Sequence, residues 1–141
     1  MIYAGIDPGV VSGVAAYFTQ TGHFESEELP TLGAVADWVR SWDNSSPIII
    51  TEKFVISGRT IKTAVQYESL YMNGWLSIEY PQSMEQTAAQ AKAFATNDKL
   101  KALGWYNPTK DGHANDAARH ILYRAARNRD ERVVKALKEM L

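Results

Sequence analysis

Asp7 and Glu52 are carboxylates in positions where a carboxylate is expensive. Asp7 ends the run Ile2-Tyr3-Ala4-Gly5-Ile6-Asp7-Pro8-Gly9, and Glu52 interrupts Ile48-Ile49-Ile50-Thr51-Glu52-Lys53-Phe54-Val55-Ile56. Both runs read as buried strands, and burying an unpaired carboxylate is strongly unfavourable unless something positive compensates it. A third cluster, Asp111-Gly112-His113-Ala114-Asn115-Asp116, lies near the C-terminus. Three carboxylates and an imidazole suit Mg²⁺ or Mn²⁺, the imidazole tilting the preference toward Mn²⁺. Two such ions can activate a water and stabilise a leaving 3′-oxygen, so the expected chemistry is metal-dependent phosphodiester hydrolysis.

Each residue also has a plainer reading. Asp-Pro-Gly is good turn chemistry, so Asp7 can simply start a turn. Glu52, read as a strand-centre residue with Lys53 on the opposite face, can sit in an ion pair or on an edge strand. If the first and fourth strands are neighbours, however, Asp7 and Glu52 converge, and a cation relieves their repulsion. His113 and Asp116 are three apart at the start of a helix and share its face. Asp116 can alternatively cap that helix, as can Asn115 or Asp111. His113 can act as a ligand or as a general base. His23 and His120 have no such company in the sequence and read as structural.

The elements that must position these residues follow from periodicity. Strands are expected at 2–7, 13–19 and 24–29, the last two joined by a hairpin turn. A helix follows in which Leu32, Val35, Ala36 and Val39 form one stripe. A loop at 43–47 leads to a fourth, central strand at 48–54. A helix is expected over 61–73, apolar over so wide an arc that one surface faces the sheet and another can face a partner subunit. A fifth strand is expected at 75–80. Helical segments follow at 84–95, 98–103, 114–127 and 131–140. This order predicts an α/β fold, a mixed sheet with helices on both faces.

The 141 residues fit a single domain spanning the chain, with 45% hydrophobic and 22% charged residues. No long apolar run and no basic leader are present, so neither a membrane span nor a signal peptide is expected. Cysteine is absent, which excludes disulfides and thiolate zinc sites and suits a reducing cytoplasm. The formal charge is −1 but unevenly spread: residues 1–56 carry two basic and seven acidic side chains, residues 57–141 thirteen and nine. The basic run from Arg119 through Lys138 reads as a solvated helix face or as a phosphate-contacting surface.

Gly5-Ile6-Asp7-Pro8-Gly9 followed by Gly13, Ile50-Thr51-Glu52, and His113-Ala114-Asn115-Asp116-Ala117 together resemble the RuvC family of Holliday junction resolvases, RNase H-like nucleases. The resemblance implies a five-stranded mixed sheet in the order 3-2-1-4-5 flanked by helices. It also implies a metal-binding catalytic tetrad of Asp7, Glu52, His113 and Asp116 with two Mg²⁺ or Mn²⁺ ions. The implied activity is paired hydrolysis of four-way DNA junctions, in recombination and repair, by a homodimer that leaves 5′-phosphate and 3′-hydroxyl ends. Lys92 and Lys99 fall where the family carries DNA-contacting lysines, and Arg59 and Lys62 are further phosphate-gripping candidates. The family's aromatic three places after the strand glutamate is Val55 here, with Phe54 one residue earlier as the DNA-contacting candidate. The short chain suits a phage-encoded member acting in a bacterial host. A broader flap or fork nuclease and a catalytically silent branched-DNA binder are the rival expectations.

Overall fold

The computed structural model describes residues 1–55, 67–109 and 111–141. Strand β1 (Ile2–Asp7) is buried along nearly all its length and lies at the middle of the sheet. Its side chains alternate: Ala4 and Ile6 join one core layer, and Tyr3 joins the other. Strand β2 (Ser12–Phe18) pairs antiparallel with β1, placing Gly13 opposite Asp7. Strand β3 (Phe24–Leu29) pairs antiparallel with β2 at the edge. Its exposed Glu25 and Glu27 put charge on an edge that would otherwise invite another strand.

Thr31 caps helix α1 (Leu32–Arg40), its side-chain oxygen accepting from the Ala34 N–H at 3.1 Å. Strand β4 (Ile48–Glu52) then pairs parallel with the other side of β1. Helix α2 (Tyr67–Glu79) returns the chain to strand β5 (Met84–Gln86), which pairs parallel with β4. The strand order is β3-β2-β1-β4-β5, as the resemblance implies. Helices α3 (Ala88–Phe94), α4 (Asn97–Leu103), α5 (His113–Arg127) and α6 (Glu131–Glu139) complete the described α-helices. Val35 and Val39 of α1 and Met72 and Leu76 of α2 cover one face of the sheet. On the other face, α5 lays Ala117, Ala118, Ile121, Leu122 and Ala125 over Tyr3, Ala15, Tyr17 and Ile50.

The expected strand at 75–80 is instead the second half of α2 and the residues after it. Trp75 to Tyr80 partly alternates, but Ser69, Met72, Asn73 and Leu76 are buried together, a helical repeat that docking against the sheet reinforces. The fifth strand lies at Met84–Gln86, inside the segment expected to be helical. Its polar Met-Glu-Gln sequence has little strand propensity of its own, and pairing with β4 holds it extended. Of the helix expected at 61–73, residues 61–66 lie outside the described part, as do Arg59 and Lys62.

Two glycines let α5 come close enough to matter. A Cβ on Gly5 would lie 2.5 Å from the Ala117 carbonyl oxygen, and one on Gly13 only 1.8 Å from that of His113. No larger residue leaves room for the helix backbone there. Among the described residues no helix is long and apolar enough to cross a membrane.

Candidate active site

Glu52 is the last residue of β4 rather than its centre, and the parallel register sets Thr51 beside Ile6. Asp7 and Glu52 therefore end adjacent parallel strands on the face covered by α5. The backbone beyond each acid is tied to α2. Ser69 Oγ donates to the Pro8 carbonyl at 2.8 Å, and Asn73 Nδ2 donates to the Glu52 carbonyl at 3.0 Å. Thr51 Oγ1, on the opposite face of β4, donates to Asn73 Oδ1 at 2.8 Å. Ser69 and Asn73 were not singled out from the sequence. Their trace there is a polar pair four residues apart on the same helix face as the apolar Met72 and Leu76.

Helix α5 supplies the remaining groups. Its N-cap is Gly112, with φ 72° and no side-chain cap bond, and the His113 N–H donates instead to Glu28 Oε1 of β3 at 3.2 Å. None of Asp111, Asn115 or Asp116 caps the helix. Asn115 is buried and clamps Asn107, accepting from its N–H at 2.8 Å and donating to its carbonyl at 2.7 Å. Asp111 is exposed and does not line the cleft. His113 Nδ1 lies 3.1 Å from Asp7 Oδ2. Asp116, one turn further, is held by Arg119 Nε at 3.3 Å and has Lys92 Nζ at 3.9 Å. Arg119 also donates to the Ala95 carbonyl and to Asn97 Oδ1, at 2.8 and 2.6 Å. His120, expected to be structural, is 1% exposed and places Nε2 at 3.3 Å from Glu52 Oε1.

The electrostatics of the acid pair are asymmetric. Burial pushes the Asp7 carboxyl up to about 7, the charge of Glu52 and then Asp116 adding to the rise while the His113 hydrogen bond opposes it. Burial pushes Glu52 up too, but the His120 hydrogen bond and charge, the Asp7 hydrogen bond and Lys92 outweigh it, leaving Glu52 below its ordinary value. Burial and the neighbouring charges thus favour the protonated form of Asp7 and the charged form of Glu52. A proton in that place marks a site where a divalent cation can replace it. Among the described residues no three acidic or imidazole side chains converge on one point as they stand; Asp7, Glu52 and Asp116 are engaged singly by His113, His120 and Arg119. The donor chemistry nevertheless fits Mg²⁺ or Mn²⁺: hard oxygens at the floor, one imidazole beside them, and a charge deficit that a cation corrects.

The four expected site residues, Asp7, Glu52, His113 and Asp116, line a single cleft of about 700 Å³ together with Phe54 and Val55. Lys92 stands at Asp116. Lys99 does not line this cleft: its ammonium donates to the Phe94 carbonyl at 2.8 Å and lies 4.0 Å from that ring's centroid. The C-terminal basic run divides similarly. Arg119 and Arg124 bond inward, Arg132 bonds to the hairpin carbonyls of Thr19 and Gln20, and Arg127 stacks on Tyr123.

No family model and no curated protein matches the sequence. Solved structures do match the fold. RuvC of Thermus thermophilus in complex with Holliday junction substrate aligns with TM-score 0.66 and 18% identity, over 92% of this chain and 97% of that one. A second Thermus thermophilus RuvC structure aligns with TM-score 0.62 and 19% identity, over 92% and 98%. The solved structures this chain is similar to are thus those of RuvC, and what it shares with them is the fold, a five-stranded mixed sheet in the order 3-2-1-4-5 flanked by helices.

Proposed function

We propose that this chain is a divalent-metal-dependent endonuclease that resolves four-way DNA junctions, leaving 5′-phosphate and 3′-hydroxyl ends. The observation that carries the reading is the acid pair Asp7 and Glu52 at the ends of adjacent parallel strands, in the same register and on the same sheet face. His113 and Asp116 face that pair within one cleft. The fold likeness to a RuvC bound to Holliday junction substrate supports the choice of DNA.

Asp7, Glu52, Asp116 and His113 would hold Mg²⁺ or Mn²⁺, two ions per site. When bound, the metal supplies an activated water and charge stabilisation at the scissile phosphate. The chain's own groups do the positioning. His113 Nδ1 hydrogen-bonds Asp7 and fixes the face that acid presents. Arg119 holds Asp116 against α5. Lys92, mostly exposed at the cleft edge, can contact a phosphate on entry. Arg59, Lys62, Lys99 and Phe54 are the further DNA-contacting candidates, Arg59 and Lys62 lying outside the described residues.

Paired incision requires two sites, and we read the chain as a homodimer. Its support is the outer face of α2, where Tyr71 is 65% and Ile78 78% exposed beside exposed Tyr67 and Leu70.

A broader flap and fork nuclease is favoured by one observation. Val55, exposed at the cleft rim, has no flat ring with which to hold an opened base step. The retained acid cleft speaks against a silent binder.

The test compares the unaltered chain with Asp7→Asn on an immobile junction. Asp7→Asn keeps binding in a mobility-shift assay and loses cleavage. Unchanged cleavage by that variant contradicts the site.

A further inference from the structure

His120 is almost fully buried, and both of its ring nitrogens have partners. Nε2 lies 3.3 Å from Glu52 Oε1, and Nδ1 lies 3.2 Å from Gln86 Nε2. The outer partners decide which nitrogen carries the proton. Arg124 Nε, which can only donate, lies 3.0 Å from Gln86 Oε1. Gln86 Nε2 also lies 3.1 Å from the His120 carbonyl oxygen, which can only accept. Both contacts fix the same amide orientation. Turning the amide over would set its NH₂ against a guanidinium N–H and its oxygen against a carbonyl. An amide NH₂ does not accept, so His120 Nδ1 is bare and accepts from it. The ring proton therefore sits on Nε2 and points at Glu52.

Gln86 is also the cross-strand neighbour of Glu52, in register at the ends of β5 and β4. Gln86 and His120 are 2% and 1% exposed. Buried polar groups of this kind are tolerated only when fully bonded. Here the bonding runs in one direction, from Arg124 through Gln86 and His120 to the acid. We infer that His120 is a positioning residue for Glu52, held as its Nε2–H tautomer by Gln86, whose amide Arg124 orients in turn. The inference rests on the reading of Glu52 as a catalytic carboxylate. Metal-binding carboxylates need such outer partners to fix their orientation, and losing one costs roughly 10- to 100-fold in activity or metal affinity.

The experiment has two arms on the full chain. Long-range ¹H–¹⁵N correlation on histidine-labelled protein reads the tautomer directly. His120 is expected to show a protonated Nε2 and a bare Nδ1, and Gln86→Leu to mix the two tautomers. A protonated Nδ1 in the unaltered chain overturns the proposal. In the second arm, His120→Leu and His120→Gln cut a labelled four-way junction in Mg²⁺. His120→Leu is expected to lower kcat roughly 10- to 100-fold with KM little changed. His120→Gln, whose amide N–H can still reach Glu52, recovers most of the loss. A His120→Leu variant as active as the unaltered chain, or a His120→Gln variant no better than His120→Leu, contradicts a positioning role. If the unaltered chain cuts no branched DNA, the catalytic reading of Glu52 fails and the positioning role with it, while the spectrum still decides the tautomer.

Discussion

At the residue scale the acid pair ties function to stability. A carboxyl whose pKa is raised from 3.8 to about 7 on folding favours the folded state fully below pH 4. That contribution fades as pH rises through 7, because the charged form is then forced into the buried site. Metal-free protein should therefore lose roughly 4 kcal/mol between pH 4 and pH 8 from this group. Asp7→Asn, which removes the buried charge beside Glu52, should melt higher than the unaltered chain at pH 8 without metal. Thermal melts across pH check this, and a variant that melts lower at pH 8 contradicts the raised Asp7 pKa. The same proton competes with the cation, so half-saturating Mg²⁺, followed by calorimetry, should rise as pH falls below about 7. The acids were legible in the sequence because each broke an apolar run. His120 was not, since its partner Glu52 is 68 residues away and only the packing of α5 on β4 unites them.

At the element scale α5 is the clamp of the site. His113, Arg119 and His120 each engage one of the acids Asp7, Asp116 and Glu52. That arrangement depends on Gly13, over which the His113 carbonyl rests. Gly13→Ala must push the N-terminus of α5 outward, destabilising the fold by about 1–3 kcal/mol and separating His113 from Asp7. Denaturant unfolding together with cleavage assays reads both effects; a Gly13→Ala variant of full stability and activity contradicts the close approach. Helix α2 holds the same strand ends from the opposite face. Asn73→Ala, which strands Thr51 Oγ1 and the Glu52 carbonyl, should cost about 1–3 kcal/mol. Strands β1 and β3 and helix α1 were readable because an apolar run, a Phe-Glu-Ser-Glu alternation and a Leu32-Val35-Ala36-Val39 stripe mark them. The α2–β5 boundary was not. Trp75 to Tyr80 carries a partial two-residue alternation over a helical repeat, and β5 is three residues of low strand propensity held by its neighbour.

At the scale of the whole molecule, the sheet order puts the acids at a central pair of strands, and the exposed side of α2 lies outside the cleft they form. The wide apolar arc read from the sequence is present in its described part as exposed Tyr67, Leu70 and Tyr71, and Ile78 extends it in the half of α2 expected to be a strand. If it joins two copies, Leu70→Glu with Tyr71→Glu should give a monomer in sedimentation at micromolar concentration with its helix content unchanged. A monomeric unaltered chain would contradict the paired arrangement. The near-zero net charge was the least informative feature, because several arginines are spent on internal hydrogen bonds. The most direct test of the central claim is strand-by-strand cleavage of an immobile four-way junction, a fork, a flap, a duplex and an RNA–DNA hybrid in Mg²⁺, Mn²⁺ or EDTA. Paired, symmetric nicks are expected in the junction with either metal, and none in EDTA. Cutting that persists in EDTA, or no cutting of any branched substrate with metal, would contradict that claim.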